Sequence, residues 1–320
     1  IKNTIMGVQA GDAMTSTNYT TIIGFQAGTA INSTDANGTV AIGYLAGTAI
    51  TSGQYNTAIG FEAGKNQVTA DSNTFVGYQS GRQTTGNNNT AIGKYTMYEG
   101  AGADYNTAIG TNALQNTTSD YNTALGYNAL TSVLGGYRNT ALGANAGDAL
   151  TTGLENVIIG YESEASAVDA DNQIVIGAST TGLGNNYAVI GNADITRLYV
   201  ASDGAGVLYA NGTIQTSDKR LKENIEDSDL GLEFINKIRP VSYKYINDKQ
   251  DGKTKYGIIA QEVQEVLKES NNEDFAGIKD SDEYLGADYN QFVAPLIKSV
   301  QELTEMVKSQ QKEIEELKKK

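Results

Sequence analysis

The chain has 320 residues, a formal net charge of −14, 36 glycines and six phenylalanines, but no tryptophan, cysteine or histidine. So many glycines with so few bulky residues exclude one ordinary globular core, and the lack of cysteine excludes a disulfide framework or a thiolate site. The acidic balance argues against a nucleic-acid partner, and no apolar run approaches the roughly 20 residues of a membrane span.

Residues 1–177 form an array of repeats, best seen at 56–60, which reads Asn-Thr-Ala-Ile-Gly. A period of about 17 residues is too short for paired helices, and Thr-Ala-Ile-Gly cores between turn residues favour strands. We predict a mainly β fold, a parallel β-roll or solenoid fibre with one coil per repeat; two strands of about five residues would fill each coil. The marker glycine recurs every 16 to 19 residues, at Gly7, Gly24, Gly43, Gly60, Gly77, Gly93, Gly110, Gly126, Gly143, Gly160 and Gly177.

Alternation within the repeat places Thr57 and Ile59 on one face of the strand, and Ala58 and Gly60 on the other. We expect Ile59 to fill the coil interior and the Ala-Gly face to permit close approach of another surface, such as a neighbouring subunit. Because so thin a solenoid has little interior, three chains sharing one axis would add the missing burial. The pattern is similar to the left-handed parallel β-roll heads of trimeric autotransporter adhesins, whose repeats carry a comparable N-x-x-A-I-G core.

Acidic residues of the array are candidates for a paired-carboxylate glycosidase site. None recurs in a pocket-forming context, so we expect solvated or turn positions for Glu62, Glu99, Glu155, Glu162 and Glu164. Asp104, Asp120 and Asp35 lie in turn-like settings where the side chain can cap the backbone. No EF-hand-like ligand spacing is present, and no metal or cofactor is predicted.

Aromatic residues of the array fall into two registers, which stacked coils would align into ladders. We expect these ladders mainly to pack coil on coil; a row of glycan platforms is the alternative, which the exposure of the rings decides. The first register follows the marker glycine and the second lies near the preceding turn: Phe25, Tyr44, Phe61, Tyr78, Tyr127 and Tyr161, then Tyr19, Tyr55, Tyr105, Tyr121 and Tyr137.

Residues 178–216 depart from the period and predict a neck with short strands at 198–200, 207–209 and 211–214. The density of charged residues rises where the neck ends. Residues 1–216 hold six basic and 15 acidic side chains, whereas the shorter segment 217–320 holds 17 and 22.

Ser217 and Lys222 stand five residues apart just beyond this boundary. Serine is a weak nucleophile at neutral pH unless a base takes its proton, and a lysine can do so where burial or nearby cations lower its pKa. Ser-Lys pairs are a known variant of the serine triad. Taken alone, the spacing also fits a solvated helix start with Ser217 or Asp218 as N-cap.

Three sequence blocks surround this pair: Ser-Asp-Lys-Arg-Leu-Lys at 217–222, Tyr-Gly-Ile-Ile-Ala-Gln-Glu-Val at 256–263, and Tyr-Asn-Gln-Phe-Val at 289–293 leading into Val-Gln-Glu-Leu at 300–303. With them, residues 217–320 resemble the C-terminal intramolecular chaperone of phage tailspikes and tail fibres, which is also found behind endosialidases and in the myelin regulatory factor. The resemblance implies that the chain is cut once, between Thr216 and Ser217.

In the same resemblance Ser217 and Lys222 are the catalytic dyad. We expect Asp218 and Arg220 to position the loop or tune the lysine. It implies a self-cleaving chaperone domain at 217–288 and a C-terminal helix and coiled coil at 289–320.

Beyond the dyad, residues 230–238 predict an amphipathic helix ended by Arg239-Pro240. A hairpin of 241–245 and 256–260 turns at Asp251-Gly252, and a helix follows at 261–269. A heptad seam, with Gln310 as its polar member, runs through Val293, Leu296, Val300, Leu303, Val307, Gln310, Ile314 and Leu317. This seam would favour two strands in isolation, so a trimer is inferred from the β array and the resemblance.

The sequence thus predicts a homotrimeric viral tail-fibre or tailspike segment that meets a host cell-surface receptor, with glycan as one receptor class. It would fold in the host cytoplasm, cut itself once, and serve in the virion tail, extracellular after release, without membrane insertion. One alternative is a cellular trimeric adhesin, which would need a membrane anchor. Another is the non-catalytic part of a polysaccharide depolymerase with its enzyme domain upstream of Ile1.

Overall fold

The computed structural model describes residues 2–195, 198, 217–244, 253–280 and 285–319. They form two compact units, one within residues 1–208 and one within residues 209–320. Within these ranges no helix is both long and apolar enough to cross a membrane.

The first unit is a parallel β-solenoid of about 11 coils, as the repeat predicts. Each strand pairs in parallel with the next at the same repeat position; Ala58, for example, lies opposite Phe75. The strands form one sheet in chain order: β1 (Thr4–Met6), β2 (Thr21–Ile23), β3 (Val40–Ile42), β4 (Thr57–Ile59), β5 (Thr74–Val76), β6 (Thr90–Ile92), β7 (Thr107–Ile109), β8 (Thr123–Leu125), β9 (Thr140–Leu142), β10 (Val157–Ile159), β11 (Ile174–Ile176) and β12 (Ala188–Ile190).

The strands are shorter and fewer than the sequence predicts. Each described coil contributes one strand of three residues, not two strands of about five. The marker glycine ends the strand because its backbone is left-handed, with φ of 136° at Gly60, and a second left-handed residue, Glu62, follows at φ 53°. Turns therefore occupy most of each coil.

From β2 to β11 the interior is filled by the middle residue of each strand. Ala58 is fully buried, whereas Thr57 and Ile59 on either side are partly exposed. The predicted assignment of the faces is therefore wrong: Ala58 points inward and Ile59 outward. The coil is too narrow for a large side chain on every strand, and longer residues from the turns, such as Ile50 and Leu114, complete the same core.

Gly60 lies at a point of close approach between consecutive coils. A Cβ atom at this position would lie 2.3 Å from the carbonyl oxygen of Gly77 in the next coil. The glycines are therefore required by the stacking of coils within one chain, and the surface that approaches closely at Gly60 is the next coil.

A buried ladder of side-chain amides joins the coils. Asn56 Oδ1 accepts a hydrogen bond from Asn73 N at 2.9 Å, and Asn56 Nδ2 donates to Ala70 O at 2.7 Å. Seven asparagines in successive coils each accept a hydrogen bond from the backbone of the next coil: Asn56, Asn73, Asn89, Asn106, Asn122, Asn139 and Asn156. These bonds satisfy buried backbone groups outside the three-residue strands.

The second unit packs around a small apolar core of Leu230, Phe234, Val263, Leu267 and Phe292. Its elements are α1 (Leu232–Lys237), an antiparallel hairpin of β13 (Val241–Tyr243) and β14 (Lys255–Gly257), α2 (Ala260–Glu269), a second hairpin of β15 (Ile278–Asp280) and β16 (Leu285–Ala287), and α3 (Val293–Lys318).

Several predictions for this unit are confirmed. Helix α1 ends before Arg239-Pro240, β13 pairs with β14, and α2 follows. The hairpin of β15 and β16 was not predicted. The Asp251-Gly252 turn and, apart from Leu198, the predicted neck strands lie outside the described residues.

Helix α3 carries the predicted heptad seam on an exposed face. Val300, Leu303 and Val307 are 63%, 50% and 57% exposed in the single chain. Such a row of apolar side chains is what a coiled coil buries.

Candidate functional site

A short 3₁₀ turn brings the two predicted dyad residues together. The turn spans Lys219–Leu221 and closes when Lys222 N donates to Lys219 O at 3.2 Å. Lys222 then returns towards the start of the turn, and its Nζ donates a hydrogen bond to Ser217 Oγ at 2.9 Å. The sequence spacing of five residues thus becomes a direct contact between hydroxyl and amine.

Asp218 holds this turn in place. Its Oδ1 accepts a hydrogen bond from Arg220 N at 2.9 Å, and its carboxylate is also paired with the Arg220 guanidinium at 2.6 Å. The hydrogen bonds from Arg220 lower the pKa of Asp218, and the same contact raises the pKa of Arg220. The pair lies within the turn between Ser217 and Lys222, and its role in the predicted site stays a prediction.

The dyad is open to solvent in the single chain. Ser217 and Lys222 are exposed, and so are the apolar neighbours Leu221 and Ile225, at 73% and 59%. Thr216, which carries the carbonyl of the predicted scissile bond, lies outside the described residues. The geometry places the Lys222 amine within hydrogen-bond distance of the Ser217 hydroxyl, and among the described residues both side chains remain exposed in the single chain.

The second and third sequence blocks contact each other. Ile258 N donates to Tyr289 Oη at 3.1 Å, and a Cβ atom at Gly257 would lie only 2.3 Å from the same oxygen. Glu262 in α2 pairs with Arg239, which lowers the pKa of Glu262. The contact with Tyr289 explains why the residue before the β14–α2 junction is glycine.

Glu302, in the third block, makes a contact that sequence reasoning missed. Its Oε2 accepts a hydrogen bond from Leu232 N, the first residue of α1, at 2.8 Å. A Cβ atom at Gly231 would lie 2.4 Å from that oxygen, so glycine leaves room for the carboxylate. Helix α3 is thereby attached to α1, and no local pattern signals a cap supplied from so far along the chain.

Two of the five candidate glutamates are not solvated as predicted. Glu62 is buried, and although burial opposes its ionisation, hydrogen bonds from Lys65, Gln79 and Arg82 lower its pKa to about 2. The distances to Glu62 oxygens are 2.6 Å from Lys65 Nζ and 2.8 Å from Arg82 Nε. This fully engaged carboxylate is a structural ion pair. Exposed positions are confirmed for Glu99, Glu155 and Glu162.

Glu164 is half-buried beside Asp148. Burial, followed by the hydrogen bond and the charge of Asp148, raises the pKa of Glu164 to about 8. The carboxyl groups bond each other directly, whereas glycosidase pairs stand about 5 Å or more apart to flank a sugar. The pair therefore does not form a glycosidase site.

The predicted aspartate caps are confirmed at two positions. Asp104 Oδ1 accepts from Asn87 N, and Asp120 Oδ1 accepts from Asp104 N at 2.8 Å. The third prediction is wrong, because Ser33, and not Asp35, caps the short 3₁₀ helix Thr34–Ala36.

The first aromatic register forms a stacked ladder at its N-terminal end. Ring centroids lie 5.6 Å apart between Phe25 and Tyr44, 4.9 Å between Tyr44 and Phe61, and 5.2 Å between Phe61 and Tyr78. The rings are 41–44% exposed, but their faces cover one another. This ladder therefore packs coil on coil, and its edges face solvent.

An aliphatic column lies on the outer face of the sheet. It consists of the third residue of successive strands, and Ile92, Ile109, Leu125 and Leu142 are 36–45% exposed. So regular a row of exposed apolar side chains is unusual for a surface that remains in water.

Comparison with known proteins shows that one part of the chain is similar to a known family. Residues 217–271 match the sequence model of a serine-peptidase family described as the chaperone of endosialidase. The match starts at Ser217 and includes the dyad and the second sequence block. A search of curated proteins gave no match.

Proposed function

We propose that this chain is part of a homotrimeric phage tail fibre that attaches to the host surface, and that its C-terminal chaperone cuts itself off between Thr216 and Ser217. The observation that carries the proposal is the 2.9 Å contact between Lys222 Nζ and Ser217 Oγ at the start of the segment that matches the chaperone of endosialidase. That family is one of autoproteolytic serine peptidases.

The proposed chemistry is an acyl shift followed by hydrolysis. Neutral Lys222 takes the proton of Ser217 Oγ, which attacks the carbonyl carbon of Thr216. The Thr216–Ser217 C–N bond breaks, the proton passes from Lys222 to the departing α-amine of Ser217, and an ester joins Thr216 to Ser217 Oγ. Water hydrolyses the ester and restores the hydroxyl. The cut happens once per chain, which makes it a maturation step.

Assembly is supported by two exposed apolar surfaces. The aliphatic column of the solenoid and the heptad seam of α3 both leave large hydrophobic side chains in water in the single chain. Three parallel copies would bury the first around a common axis and the second in a coiled coil. Burial by the other chains would also supply the low-dielectric surroundings in which a lysine acts as a base.

The chaperone role follows from folding kinetics. Repeats that resemble one another can pair out of register, and long-range parallel contacts form slowly. A coiled coil that assembles first would fix the register of the three chains. Once the chaperone is released, its contacts with the fibre are no longer available during unfolding. Unfolding is then slow, and the fibre is kinetically stable.

The test is to express the full chain as wild type, Ser217→Ala, Lys222→Ala and Lys219→Ala. We expect wild type and Lys219→Ala, a lysine in the same turn, to split into residues 1–216 and 217–320. Ser217→Ala and Lys222→Ala should stay whole and still form trimers. A new N-terminus at any residue other than Ser217 would contradict the assignment of the dyad. Cleavage of Lys222→Ala would show that Lys222 is not the general base.

A further inference from the structure

We propose that the slot between Tyr55 and Tyr105 on the solenoid binds a neutral oligosaccharide. The proposal rests on the attachment function proposed above and names a site and a ligand class for it. It starts from the second aromatic register, which is the more exposed of the two.

Tyrosine is an unfavourable choice at these turns. Tyr19, Tyr55, Tyr105 and Tyr121 have φ of 56–62°, the left-handed region that costs an ordinary residue about 1–2 kcal/mol. The same repeat position holds the better-suited Gly38 and Asn88 elsewhere.

The strain is not offset by burial. Tyr19 and Tyr55 are 62% and 65% exposed, and Tyr105 and Tyr121 are 52% and 53% exposed. A large aromatic side chain that is strained and remains in water indicates a role in binding, because it adds little to the core.

Two of these rings face each other across a gap. Tyr55 packs against Gly38 of the preceding coil, and Tyr105 stacks on Tyr121 of the following coil at 5.1 Å with an interplanar angle of 1°. The other face of each ring is therefore turned towards the coils between them. Three coil steps separate the rings, which is about 14 Å at the usual strand spacing.

The floor of the slot is small and polar. Ser72 and Asn88 occupy the tyrosine position in the two intervening coils, and both are exposed. Aromatic walls and a polar floor are what a pyranose ring requires, since its C–H groups stack on aromatic faces and its hydroxyls need hydrogen-bond partners.

Acidic side chains beside the slot select the charge of the ligand. Asp71 Oδ1 accepts from Gln54 N at 2.7 Å, and Asp104 Oδ1 accepts from Asn87 N. Each carboxylate is thus fixed by one oxygen and keeps a second oxygen that can accept a sugar hydroxyl. Two fixed negative charges favour a neutral glycan and repel one that carries carboxylate or sulfate groups.

The first aromatic register does not offer such a site in its stacked part. Rings from Phe25 to Tyr78 lie in neighbouring coils without a gap, so each inner ring has both faces covered. Only a register with missing rings leaves room for a sugar between two faces.

The experiment measures binding of the full chain to an array of neutral and acidic oligosaccharides, with thermal unfolding and self-cleavage followed in the same preparations. The variants are Tyr55→Asn and Tyr105→Asn, and the matched control is Tyr19→Asn, which removes an exposed, left-handed tyrosine outside the slot. We expect binding to neutral glycans only, about tenfold weaker in each slot variant and unchanged in the control.

Thermal stability distinguishes a binding role of the two tyrosines from a structural role. Asparagine suits the left-handed backbone, so both slot variants should melt at the same temperature as wild type or higher. A lower melting temperature or loss of the trimer would mean that the tyrosines contact another copy of the chain, and would overturn the proposal. The proposal would also be overturned if no neutral glycan bound, if acidic glycans alone bound, or if Tyr19→Asn lost as much glycan binding as the slot variants. Normal cleavage with no glycan binding would refute the slot and leave the self-cleaving fibre standing.

Discussion

Glu302 of α3 caps α1 by accepting a hydrogen bond from Leu232 N at 2.8 Å, across 70 residues of sequence. Glu302→Ala leaves the first N–H of the helix unpaired, a change that costs about 1 kcal/mol in typical N-caps. We expect α1 amides in the full chain to exchange with deuterium roughly fivefold faster. Glu305→Ala is the control, because within the described ranges Glu305 pairs with exposed Lys308 and with no backbone group; equal acceleration in both variants would contradict the capping role.

The amide ladder predicts a stabilising substitution. Thr20 occupies a ladder position, and its buried Oγ1 has no hydrogen-bond partner within the described structure. Thr20→Asn would place an amide where Asn56 has one, with Oδ1 able to accept from Thr39 N as Asn56 Oδ1 does from Asn73 N. We expect a gain of about 1 kcal/mol, measured as a higher denaturant midpoint. A lower midpoint would show that the turn cannot accommodate the larger side chain.

The carboxyl pair predicts a pH dependence of stability. The folded pKa of Glu164 is raised from its ordinary 4.5 to about 8. The stabilisation from the protonated folded form is therefore complete below about pH 4.5 and is lost as the pH rises through about 8. Hydrogen exchange in β9–β11 should become faster over this interval. Glu164→Gln should flatten the profile and exposed Glu162→Gln should leave it unchanged; the reverse pattern would refute the assignment.

The aliphatic column predicts where assembly can be broken. Leu125→Asp puts a charge in the middle of this column, and burying an unpaired carboxylate between chains is costly. We expect light scattering to report a smaller assembly. Leu134→Asp changes a leucine of similar exposure, 52% against 45%, in a turn outside the column, and should keep the wild-type mass. A trimer that survives Leu125→Asp would place the interface elsewhere.

The period and the parallel solenoid could be predicted because each depends on local spacing. The pairing of Lys222 with Ser217 was expected from the resemblance of residues 217–320, since their spacing alone also fits a helix start. Which face of the strand points into the coil could not be predicted. In Thr-Ala-Ile-Gly each face of the strand carries one apolar residue, Ala58 or Ile59, so alternation alone leaves the choice open. The narrow coil decides it in favour of alanine.

Side-chain contacts between coils and between distant helices could not be predicted from the sequence either. Asp148 and Glu164 are 16 residues apart and meet only because one coil closes between them. Glu302 reaches Leu232 through the packing of α3 on α1. Neither pair shows a pattern that periodicity or motif spacing could detect.

The amide ladder also bears on how such a chain can change over generations. Each rung contacts only the coils directly before and after it, as Asn106 does with Asn89 and Asn122. Duplication or deletion of one whole repeat therefore restores every bond at the junction, whereas loss of a few residues within a repeat breaks the ladder. The array can thus lengthen or shorten in steps of one coil, about 4.8 Å each, and recombination between repeats can adjust its reach without a new core.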